Sequence, residues 1–171
     1  MKKLILPALL SALLAACSST GTDTAGASVE DRSGTGVATV TAGTPSGTGI
    51  AALTDPNNIL SKRSVFFDFD SFVIKSEAKP LIEAHARFLV QNPQMKMLIQ
   101  GNTDERGSRE YNVALGQKRA DVVKQALLLL GSQEAQIESV SLGEEKPRCT
   151  DASEDCYAEN RRGDMLYSGE F

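Results

Sequence analysis

The sequence predicts an α/β (α+β) sandwich: helices packed on a mixed sheet in the order β-α-β-α-β-β, preceded by a disordered tether. Three observations predict it. Val65-Phe66-Phe67-Asp68-Phe69-Asp70 alternates with the period of a strand. Two longer stretches, beginning near Ser76 and Ser108, carry apolar residues at three- and four-residue spacings. Everything from Ser18 to about Thr54 lacks either pattern and is dominated by Gly, Thr, Ser and Ala.

In the first strand, Val65, Phe67 and Phe69 share one face, and Phe66, Asp68 and Asp70 the other. Ser76 is placed to cap the first helix, whose buried stripe is Leu81, His85, Phe88 and Leu89. Pro80 falls in its first turn, where the missing N–H does no harm, and Asn92-Pro93 ends it. Met95 to Gln100 is a second strand and Gly101 to Gly107 a loop. Ser108 caps the second helix, which runs to near Leu130, and Gly131 supplies the left-handed stop. Ile137 to Leu142 and Arg162 to Tyr167 are the third and fourth strands.

The N-terminus is expected to be an address. Lys2 and Lys3 precede an apolar run from Leu4 to Leu14, too short to span a bilayer and suited to a secretory signal. Its ending, Leu14-Ala15-Ala16-Cys17, resembles the lipobox of bacterial lipoproteins. That resemblance implies a signal peptide over 1–16 and lipidation of Cys17, an anchor that multiple acyl chains make effectively permanent. Ser18 in place of an aspartate is similar to outer-membrane cargo. Residues 17–54 then form a flexible linker, with an r.m.s. span of roughly 35 Å, and 55–171 one domain.

Without Lys2 and Lys3, 16 basic residues face 22 acidic ones, a net charge of −6 that argues against a nucleic-acid partner. Cys149 and Cys156 enclose a polar stretch, and in an exported chain such a pair is expected to form a disulfide. The only histidine is His85, on an apolar stripe, which suits a packed core residue better than a base. No metal, no cofactor and no catalysis are expected, because no Ser–His, Cys–His or metal-ligand cluster is present. Asp68 and Asp70 are expected at a strand-end surface rather than as a carboxylate pair.

One segment stands out chemically. On the second helix Leu115, Arg119, Val122, Val123 and Ala126 share a face, so Arg119 is expected among core neighbours. A helical arginine facing a core is costly unless it meets an anion. Asp104 lies one loop before that helix, and a structural Asp104–Arg119 ion pair explains the two residues as well as a ligand site does.

Asn102-Thr103-Asp104-Glu105-Arg106-Gly107, Tyr111-Asn112, Leu115, Arg119-Ala120 and Asn160-Arg161-Arg162 together resemble the OmpA-like peptidoglycan-binding domain. With the lipobox, the linker, Phe67-Asp68-Phe69-Asp70 and Ala84-His85-Ala86, the chain is similar to the lipoprotein branch of that family, which serves the Tol–Pal system. It departs at Asn102, where many relatives carry His, and in the Cys149–Cys156 loop. The resemblance implies non-covalent binding of the diaminopimelate stem peptide of peptidoglycan. Asp104 would take the ligand's ammonium and Arg119 its carboxylate. Phe69, Asp70, Asn160 and Arg161 would stand at the rim, with Tyr111 and Leu115 as packing. It also implies an outer-membrane, periplasm-facing location and TolB as a partner. A protein whose main role is to bind TolB is the alternative.

Overall fold

Strand-period alternation builds a four-stranded sheet from β1 (Ser64–Phe66), β2 (Met97–Asn102), β3 (Ile137–Gly143) and β4 (Arg162–Tyr167). The computed structural model describes residues 50–171. The expected signal peptide, Cys17 and the tether up to residue 49 lie outside the described residues. Strand order is β1-β4-β2-β3, with β4 antiparallel to both neighbours and β2 parallel to β3. The sheet is therefore mixed, as expected, and the parallel pair needs a crossover. α2 (Arg109–Leu129) supplies it, lying against β2, β3 and β4, while α1 (Lys79–Gln91) packs beside α2.

The buried face of the sheet is a cross-strand set. Ile99 opposes Met165, Met97 opposes Tyr167, and Val65 opposes Gly163. Ile82, Phe88, Leu89, Ala120, Val123 and Leu127 close over it from the helices. Ser108 caps α2 by accepting from the Tyr111 N–H, and Gly131 adopts the expected positive φ of 100°. Among the described residues no helix is long and apolar enough to cross a membrane.

Four expectations need correction. Ser76 opens a short 3-10 turn, Ser76–Ala78; α1 itself starts at Lys79 without a side-chain cap. Pro80 does sit in its first turn. The first strand ends early. Phe67 donates its N–H to the Arg161 carbonyl at 2.9 Å, after which the chain turns away and Asp70 takes φ +52°. That turn leaves Phe69 58 % exposed, whereas Val65 and Phe67, expected on the same face, are both buried. The third correction is a helix, α3 (Glu154–Asn160), inserted between β3 and β4 and capped by Ser153. Last, Ile50–Leu53 form a 3-10 turn whose Ala52 and Leu53 join the core, so the packed domain starts before residue 55. The Cys149–Cys156 disulfide is formed, with Cα atoms 5.4 Å apart, and it ties the loop after β3 to α3.

Two glycines set the height of α2 above the sheet. A Cβ on Gly101 would stand 1.8 Å from the Gly116 carbonyl oxygen, and one on Gly116 would stand 2.3 Å from the Ser141 hydroxyl. Only glycine permits that approach of helix backbone to strand backbone. Arg119 lies one turn beyond Gly116, so the contact places its side chain at the C-terminal end of β2.

His85 is fully buried, with Nε2 2.8 Å from the Lys62 carbonyl and Nδ1 2.9 Å from the Tyr167 hydroxyl. A carbonyl only accepts, so Nε2 carries the proton and Nδ1 accepts from Tyr167. Burial pushes the imidazole down to about 4, and the Lys62 hydrogen bond opposes the shift only in part. Its folded-state value therefore lies below that of the unfolded chain. The stability held by the neutral ring is complete above about pH 6.5 and declines as pH falls, until it is gone near pH 4. Urea titrations should show about 3 kcal/mol lost across that window. A His85→Gln variant, lower in stability at neutral pH, should lack that segment of the curve.

Candidate functional site

Where β2 ends, the chain has just passed Gly101, and Asn102, Thr103 and Asp104 follow under the first turns of α2, all buried. The β1–α1 loop brings Phe69 and Asp70 over the same place, and the C-terminus of α3 brings Arg161. Between them is a cavity of about 200 Å³. Five of the six residues expected at the site line it: Asp104, Arg119, Phe69, Asp70 and Arg161.

Arg119 is fully buried, yet among the described residues no carboxylate lies within ion-pair distance of it. Nε donates to the Ser71 carbonyl at 2.8 Å, Nη1 to that of Asn102 at 2.9 Å and Nη2 to that of Asp68 at 3.1 Å. A guanidinium has five N–H donors, so one on Nη1 and one on Nη2 remain. The cation also lies 5.3 Å from the Phe67 ring centroid. Burial pushes it down to about 10, opposed by the charge of Asp104, so it stays a cation at neutral pH. The structural Asp104–Arg119 ion pair is thus not made.

Asp104 is instead held by two other arginines. Its Oδ2 accepts from Arg106 Nη2 at 2.6 Å and from Arg161 Nη1 at 3.2 Å, and its Oδ1 from the Arg106 backbone N–H at 3.1 Å. Burial alone would raise its carboxyl; the hydrogen bonds from Arg106 and Arg161 outweigh burial and hold it below the usual carboxylate range. Arg161 is fixed at its other ends by the Phe67 carbonyl at 3.1 Å and Glu154 at 2.8 Å. Asp70 accepts from the Tyr111 hydroxyl, which raises that phenol. The cavity therefore pairs a cationic floor with acids on its wall and rim.

Asn160 does not reach the cavity. Its amide accepts from the Arg148 and Cys149 N–H groups at 2.8 and 3.3 Å and donates to the Cys149 carbonyl at 2.7 Å, bracing the disulfide loop. Arg162 points to the far side of the sheet, where Asp164 takes it at 2.8 Å. The alternation at the start of β4 separates Arg161 from Arg162 in this way. Tyr111 and Leu115, expected as packing, do line the cavity, together with Arg106, Thr103, Gly107 and Asn112. Asp68 offers its carbonyl to Arg119 while its exposed carboxylate pairs with Lys75 at 3.1 Å. Among the described residues no group of acids, histidines or cysteines is arranged to hold a metal.

Comparison with known proteins identifies the family and the fold. The profile described as the OmpA family matches residues 66–161. A peptidoglycan-associated lipoprotein of Haemophilus influenzae is 40 % identical over 158 residues, covering 91 % of each chain. One from Pasteurella multocida is 47 % identical over 104 residues, 61 % of this chain and 69 % of that one. The crystal structure of the peptidoglycan-associated lipoprotein from Burkholderia pseudomallei superposes with a TM-score of 0.67 at 54 % identity, over 68 % of this chain and 99 % of the other. The C-terminal domain of Helicobacter pylori MotB, at 22 % identity and TM-score 0.58, covering 63 % of this chain and 84 % of that one, shares the fold.

Proposed function

The chain belongs to the OmpA family, and from that premise we propose that its domain is a non-enzymatic module that holds the diaminopimelate stem peptide of peptidoglycan. The side chain of that amino acid ends in an ammonium and a carboxylate on one carbon. Arg119 offers the carboxylate its remaining Nη1 and Nη2 donors as a bidentate fork. Asp104 accepts from the ammonium, and Phe69, Asp70 and Arg161 form the surrounding wall. The observation that carries this reading is the burial of Arg119 with, among the described residues, no carboxylate within ion-pair distance. A cation taken from water and hydrogen-bonded only to carbonyl dipoles gains most from an anion brought by a ligand.

Similarity to peptidoglycan-associated lipoproteins extends the proposal to the whole chain. The signal peptide and Cys17 place a lipid anchor in the outer membrane, and the linker lets the periplasm-facing domain reach the wall. Anchor and domain together tether the outer membrane to peptidoglycan as part of the Tol–Pal system, supporting envelope integrity and cell division. A second reading, with TolB as the main partner, draws on the β1–α1 loop. Phe69, Phe72 and Val73 are exposed there, an apolar surface suited to a protein partner. Because Phe69 also lines the cavity, the two partners are expected to exclude one another.

Lysine-type stem peptides lack the terminal carboxylate and leave Arg119 unmatched. Titration calorimetry should find them bound on the order of 100-fold more weakly than the diaminopimelate peptide. Asp104→Asn should weaken the diaminopimelate peptide while leaving thermal unfolding cooperative. Equal affinity for the two peptides would remove the carboxylate role of Arg119. Arg119→Ala is a poor substitute test, since it also strips three main-chain carbonyls of their donor. In a sedimentation assay, purified TolB should release the protein from sacculi in a dose-dependent way. Joint sedimentation of all three components would contradict the shared surface.

A further inference from the structure

Arg106 is held in a pose that is incompletely satisfied, and it lines the cavity beside Asp104. Its guanidinium carbon stands 4.2 Å from the Phe69 ring centroid and 4.3 Å from that of Tyr157, so the cation bridges the β1–α1 loop and α3. Nη2 donates to Asp104 at 2.6 Å and Nη1 to Glu154 at 3.2 Å. Nε is buried and, among the described residues, has no hydrogen-bond partner. A buried donor left unmatched destabilises the pose that buries it.

The two cations on Asp104 differ in how firmly they are held. Arg161 is buried and tied to the Phe67 carbonyl and Glu154 as well. The Arg106 side chain is a third exposed, and Gly107 follows it at φ +119°, a backbone conformation open to few other residues. Glu154, itself exposed, already accepts from the outer nitrogen of Arg106 and can keep the cation when Asp104 lets it go.

We propose that Arg106 is a built-in competitor of the ligand: in the free protein its guanidinium occupies the acceptor side of Asp104, and a ligand ammonium displaces it toward Glu154. The inference rests on the reading of Asp104 as the ammonium acceptor. It gives Arg106 a specificity-determining role. An anion alone has no means of releasing Arg106 from Asp104, and Arg119 behind it is fully buried. A zwitterion supplies a cation for Asp104 and a carboxylate for Arg119 together, and so opens the site. Simple anions are thereby held off a cavity floor that would otherwise attract them.

Calorimetry with a synthetic diaminopimelate stem tripeptide, and with the same peptide acetylated on its side-chain ammonium, tests the proposal. Arg106→Met keeps an apolar chain between the two rings and removes the competing charge. It should bind the free-amine peptide about tenfold more tightly than the unsubstituted protein, the worth of one charge-assisted hydrogen bond no longer displaced. The acetylated peptide should show no such gain. Tyr157→Leu, which removes one ring from the pose without touching the cavity, should shift affinity in the same direction by less. Unchanged or weaker binding of the free-amine peptide by both variants would overturn the proposal while leaving the clamp intact. If the unsubstituted protein failed to distinguish the two peptides, the ammonium role of Asp104 would fall, and the competitor with it.

Discussion

Taking a guanidinium out of water costs several kcal/mol unless its donors and its charge are met, and at Arg119 three main-chain carbonyls meet three of the five donors while, among the described residues, no carboxylate lies within ion-pair distance of the charge. Those carbonyls belong to Asp68 and Ser71 in the β1–α1 loop and to Asn102 at the end of β2. One side chain thus orders both walls of the cavity. The bulk of the loop then follows: Phe69 stands outside, Asp70 turns to Tyr111, and the Asp68 carbonyl faces inward. A partner carboxylate in the protein would have neutralised the same cation and closed the site. Without one among the described residues, two N–H donors of Arg119 are left without a protein acceptor, the feature on which the proposed ligand role rests.

The supporting framework is built so that this residue cannot drift. Gly101 and Gly116 allow α2 to lie on β2 at backbone contact, which fixes the height of Arg119 over the strand end. Across the cavity, the disulfide and the Asn160 amide brace the start and end of α3. From that helix come Glu154, Tyr157 and the Arg161 that follows it, the residues that hold Asp104 and Arg106 in place. The rim is therefore cross-braced on the α3 side, while the Arg106 side chain is a third exposed.

Much of this was legible in the residues. The apolar face of α2 follows from periodicity, because one side of it lies against a continuous core, and Arg119, the odd residue on that face, lines the cavity. The β1 alternation misled at Phe69, since Asp70 takes a left-handed conformation that no pattern of two announces. α3 was hidden because seven residues between a cysteine loop and a strand are too few for a helical stripe. Its signal was local instead: Ser153 followed by Glu154 and Asp155 in the first turn, a cap with the acids the helix dipole favours. Asn160 and Arg161 are neighbours with opposite fates because the chain leaves α3 between them. Arg106 carried no periodic signal, as its role comes from rings 37 and 51 residues away in sequence, Phe69 and Tyr157.

The most direct test is a crystal structure of the protein with a diaminopimelate stem peptide bound. The account predicts the side-chain carboxylate of that residue at about 2.7–2.9 Å from both Nη1 and Nη2 of Arg119, with its ammonium on Asp104. A peptide whose carboxylate rests on Arg106 or Arg161, leaving Arg119 bonded to its three carbonyls alone, would contradict it.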